Sequence, residues 1–152
     1  MNQYSQLLYY IKQLAESDPL VNTVVKDTQN IDLQKNNIYP LVEISITGGG
    51  FSNGSVVTFD VEVACMDIRD TNKEIITDKF WAQDNEVDNH NTTHAILNRM
   101  WTSMYRDFES NNITASENPT LEKATHQEQN NLDGWVASFT VEVPNTDLNL
   151  CS

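Results

Sequence analysis

Two alternating stretches separated by a glycine-rich break limit the folds open to this chain more than any other feature. In IYPLVEISIT, residues 38 to 47, Val42, Ile44 and Ile46 share a face with Ile38. In SVVTFDVEVACMDI, residues 55 to 68, Val57, Phe59, Val61, Val63 and Cys65 oppose Thr58, Asp60 and Glu62. A period of two marks half-buried strands, because successive side chains point to opposite faces of a sheet. The intervening GGGFSNG tolerates positive φ and predicts a loop joining the two as an antiparallel hairpin. A third run, GWVASFTVEVP, aligns Trp135, Ala137, Phe139, Val141 and Val143 on one face and ends at Pro144.

Faces of this kind need a cover, and two stretches have helical spacing. Leu7, Leu8, Ile11, Leu14 and Ala15 recur at intervals of three and four until Asp18-Pro19, where the residue before proline is pushed out of the helical region. Ile96 or Leu97, Met100, Trp101, Met104, Tyr105 and Phe108 form a second stripe. Good caps at Asp88, Asn89, Asn91 and Thr92 let that helix begin anywhere from about residue 86 to 93. Trp101 and Phe139 are expected in the core. The segment 20 to 37 has room for a brief strand, and Thr120 to Gln127 for a weak edge strand. The predicted order is helix, strand, strand, helix, then one or two strands. A length of 152 residues suits a single domain, with 145 to 152 as a C-terminal extension.

Charge narrows the function. The chain carries 22 acidic against 9 basic residues, a net charge of −13. Binding phosphates needs clustered Lys and Arg, and no such cluster occurs. From charge alone plain solubility is the favoured reading, although an acidic surface also repels DNA, which serves a protein past which DNA must slide. The first residues lack the basic flank and apolar core of a signal peptide, and no apolar run is long enough to span a bilayer, so a soluble, non-exported protein without membrane contact is expected. Cys65 and Cys151 form no disulfide framework, although a bridge between them remains open, and Cys65 reads as a small buried hydrophobe. Three glycines with no GK[ST] after them do not make a phosphate loop.

DNHNTTHAILNRMW places His90 and His94 one helical turn apart, with Glu86 upstream, a spacing used by zinc hydrolases. Asn91 stands where those enzymes carry their general base. The acidic groups Asp67/Asp70 and Asp84/Glu86/Asp88 read as solvated loop charges. No catalytic residue, metal or cofactor is expected.

The phrases IYPLVEISI, FDVEVACMDIRD followed by NTTHAILNRMW, and GWVASFTVEVP, in this order, resemble the tail-terminator and neck-ring proteins of tailed bacteriophages. The resemblance implies an α+β fold, a mostly antiparallel sheet of about four strands in the order α-β-β-α-β-β, with two helices packed on one face. It also implies a homo-oligomeric ring, commonly a hexamer, in the virion. Such a ring meets tail-tube or connector proteins, lets DNA pass without specific binding and has no active site. The interface residues expected are Gly48, Gly49, Gly50, Phe51 and Asn53 of the glycine-rich break, with Phe80 and Trp81 of the polar excursion 69 to 91. Two other classes fit parts of the pattern. An acidic binding module that imitates DNA would be a monomer with carboxylates along one face, and a small metal-dependent hydrolase would need a third ligand near His90 and His94.

Overall fold

The computed structural model describes residues 3 to 26, 38 to 52, 54 to 69, 86 to 106, 113 to 116, 118 to 127 and 132 to 145. Eight elements follow one another: α1 (Gln3–Ser17), β1 (Thr23–Val25), β2 (Leu41–Ser52), β3 (Val56–Ile68), α2 (Glu86–Arg106), β4 (Thr114–Ala115), β5 (Thr120–Gln127) and β6 (Leu132–Pro144). The class is α+β, with one mixed sheet of six strands rather than about four. Strands β1, β2, β3, β6 and β4 are neighbours in that order, and β5 also pairs with β6. All pairings are antiparallel except β1 with β2.

Register explains the core. Ile44 pairs with Val63 and Val63 with Ala137, while Ile46 pairs with Val61 and Val61 with Phe139. These rows run across the sheet on the face that both helices cover. α1 contributes Leu7, Ile11 and Ala15, and α2 contributes Ile96, Leu97, Met100 and Met104. The helices therefore lie on one side and touch each other.

Two expected core positions differ. Trp101 is only half-buried: its indole N–H donates to the Ser116 carbonyl at 3.2 Å, and its ring stacks on Tyr105, itself largely exposed. α2 turns the Thr93, Ile96, Met100, Met104 edge to the sheet, so the aromatic edge of the stripe lies at the boundary. Ile38 precedes β2 and packs with Tyr39, Leu41 and Leu132, a small cluster on the opposite sheet face. Phe108 lies outside the described residues, as do residues 146 to 152 of the C-terminal extension.

Candidate docking surface

The hairpin is longer and tighter than its sequence suggests. β2 and β3 stay paired to Ser52 and Val56, and Ser55 N–H donates to the Ser52 carbonyl at 3.2 Å across a turn in which Gly54 has φ +69°. Gly48, Gly49, Gly50 and Phe51 are strand residues, paired with Asp60, Phe59, Thr58 and Val57, and not loop. A bulge at Thr47 shifts the register between Ile46 and Gly48. Beside it the strands approach so closely that a Cβ on residue 49 would fall 2.2 Å from the Thr58 carbonyl oxygen, which only glycine avoids. Asn53, Phe80 and Trp81 lie outside the described residues.

After the bulge, odd-numbered residues of β2 turn to the helix side, which places Phe51 beside Val57. The first turn of α1 covers Phe59, with Tyr4 edge-on to it at 6.2 Å, and stops short of Phe51. The Phe51 ring is 86% exposed and is not folded back on its sheet. Between it and Tyr4 opens a mostly apolar groove of about 640 Å³. Residues 44 to 59 carry no charged side chain; the nearest carboxylates, Asp60 and Glu142, pair with Gly48 and Thr58 on the other face. The sheet face turned away from the helices is different. Alternation and register place Glu43, Asp60, Glu62, Glu122 and Glu142 there, and among the described strand residues on that face none is Lys or Arg.

At the opposite end of the sheet, a buried polar network fixes the start of α2. Arg69 donates through Nε and Nη2 to both oxygens of Asp133, each at 2.9 Å, and its Nη2 also lies 3.1 Å from Glu86 Oε2. Asp133 is fully buried, and Asn89 reaches from α2 to bond the Ile68 carbonyl at 2.9 Å. Glu86 is thus an ion-pair partner in the first helical turn, not a solvated loop charge, and Asp67 lies on β3, paired across the ladder with Asp133. Asp70 and Asp84 lie outside the described residues. Burial, together with the Asp133 charge, raises the Asp67 carboxyl above its ordinary range despite a bond from Ile68 N–H.

With α2 starting at Glu86, His90 and His94 both fall within the helix. His90 is buried with Nδ1 3.9 Å from Glu86 Oε1, whereas His94 is exposed; both rings stand edge-on to Trp135, at 6.1 and 5.6 Å. Trp135 in turn donates its indole N–H to the His90 carbonyl at 3.0 Å. The two imidazoles therefore help seat α2 on β6. Among the described residues no group of three or more His, Cys, Asp or Glu is placed to hold a metal. Cys65 is a free thiol in the core, pushed far above its ordinary pKa by burial and by the nearby Asp67 and Asp18 charges. At the end of α1, burial pushes the Asp18 carboxyl up. Bonds from Arg99 at 2.8 and 3.1 Å and from Leu20 N–H at 3.0 Å, with the Arg99 charge, outweigh that and hold it below its usual value.

No family model matches the sequence, and no curated protein shows significant similarity to it. Among the described residues no helix is long and apolar enough to cross a membrane.

Proposed function

We propose that this chain is a structural subunit of a ring, a hexamer by the resemblance, that terminates the tail or joins tail to head in a tailed bacteriophage. The observation that carries the reading is the hairpin end. The uncharged turn end of β2 and β3 presents an 86% exposed phenylalanine beside an apolar groove, on a chain whose net charge of −13 would otherwise keep copies apart. An exposed aromatic beside an apolar groove serves contact, since water gains nothing from it. Phe51 with Gly48 to Gly50 meets a neighbouring ring or tail-tube protein in this reading. The carboxylates of the open sheet face line the lumen and repel passing DNA. The α+β layout with both helices on one face supports the reading as well.

The open acidic face also favours a second reading, a module that imitates DNA. Asp60 and Glu62 share a face two residues apart on β3, a separation of about 6.7 Å. That reading assigns no role to Phe51. Phe51→Asp separates the two. Because the ring is exposed, the fold and melting temperature should hold, yet particles assembled with the variant should show tails detached from heads. Normal particles would remove the hairpin from the docking role.

A further inference from the structure

The fold brings two lysines to one groove. Of the described basic residues, Arg69 and Arg99 are held by Asp133 and Asp18, whereas Lys12 of α1 and Lys26, just after β1, line the same groove of about 390 Å³. Leu8 and Tyr9 of α1, Val24 of β1 and Ile44 of β2 supply its apolar lining, and Tyr9 is 52% exposed. Both lysines are exposed. Lys12 Nζ lies 3.4 Å from Glu16 and 6.0 Å over the Tyr9 ring; an ion pair half exposed at both ends is weak and yields readily to a competing carboxylate.

The groove runs beside a sheet edge. Among the described strands β1 pairs only with β2. Thr23 N–H donates to the Pro40 carbonyl on the β2 side at 3.4 Å, so by alternation the N–H and C=O of Val24 point away from β2. An edge of this kind offers main-chain hydrogen bonds to an extended segment, while neighbouring pockets select its side chains. Lysines beside an edge turn away basic strands and admit acidic ones. On a chain with a net charge of −13, which repels acidic segments in general, the sign is reversed at this groove.

We propose that the groove docks an extended acidic segment of a partner protein, added to the sheet along the outer edge of β1. One apolar side chain of the segment lies on Leu8, Tyr9 and Val24, and carboxylates on either side of it reach Lys12 and Lys26. Residues two apart in an extended chain share a face, so the pattern recognised is acid-x-apolar-x-acid. The inference concerns the β1 edge, not the hairpin end, and stands without the ring reading.

The test follows the fluorescence anisotropy of a dye-labelled, end-blocked peptide, Glu-Thr-Leu-Thr-Glu, titrated with the full-length protein at low salt. It should bind at least about tenfold more tightly than Lys-Thr-Leu-Thr-Lys. Lys12→Glu/Lys26→Glu, at two exposed positions, should leave the melting temperature in place and reverse that preference. A peptide with proline at both threonine positions, which cannot pair as a strand, should bind several-fold more weakly. Equal binding of the acidic and basic peptides, or unchanged binding of the acidic one to the doubly substituted protein, would overturn the proposal. Equal binding of the proline peptide, or of a single-stranded oligonucleotide, would overturn it as well, because charge alone would then account for the contact.

Discussion

At the scale of single residues, two arginine-carboxylate pairs hold elements together for different physical reasons. Asp133 is fully buried and Arg69 nearly so, which makes their bidentate contact a desolvated pair whose value lies in not being broken. Arg69→Ala should cost about 3–5 kcal/mol by stranding a buried carboxylate. Arg69→Met combined with Asp133→Leu should cost much less than the two single changes summed, as read from denaturant unfolding of all three variants. The Arg99 side chain is about half exposed, so its contact with Asp18 is weaker and visible mainly through pH. The Asp18 carboxyl is held below its ordinary value in the folded state. Its contribution is therefore present above an unfolded pKa of about 3.9 and disappears as pH falls through the folded one. The stability gap between the original protein and Arg99→Ala should be widest at neutral pH and close in acid. A gap that persists unchanged below pH 3 would mean that packing, not charge, links the helices there. The Arg69 pair was not legible in the sequence. Asp133 is a single carboxylate at the start of an alternating run, and its partner is 64 positions away.

At the scale of elements, periodicity revealed most of what is long and little of what is short. The β2, β3 and β6 faces and the α1 stripe follow from the sequence, because a buried face must repeat to be buried, whereas the Thr120 to Gln127 edge strand, exposed at residues 120 to 123, showed only as a weak strand in a polar stretch. β1 and β4, of three and two residues, are too short to show a period, and the parallel pairing of β1 leaves no local trace. The triple glycine read as loop because glycine serves both loops and close strand contacts, and only the bulge at Thr47 separates the two. The exposed end of the hairpin was legible from Phe51, whereas the helix-side position that makes the groove was not, since the bulge reverses the parity of the strand. Helical spacing also overstated Trp101. Phe139→Ala, which empties a core position, should cost about 3–5 kcal/mol. Trp101→Ala should cost about 1–2 kcal/mol, the value of one hydrogen bond and part of a ring's burial. Thermal or denaturant unfolding of both variants checks the ranking, and a larger loss at Trp101 would contradict the orientation of α2.

At the scale of the whole molecule, charge and apolar exposure are segregated. Carboxylates occupy the open sheet face, both helices occupy the other, and Phe51 is exposed at the β2–β3 turn at one end of the sheet. A monomer in solution gains nothing from that exposed ring. A ring of subunits gains a contact surface at its rim and a repulsive lining for DNA. An acidic module that imitates DNA shares the carboxylate face but has no need of neighbours. The mass of the purified full-length protein in native buffer, measured by light scattering over a range of micromolar concentrations, distinguishes them most directly. The ring reading predicts one discrete species at a small whole multiple of the 17.3 kDa subunit, six by the resemblance, whereas a constant mass of one subunit at every concentration would contradict it.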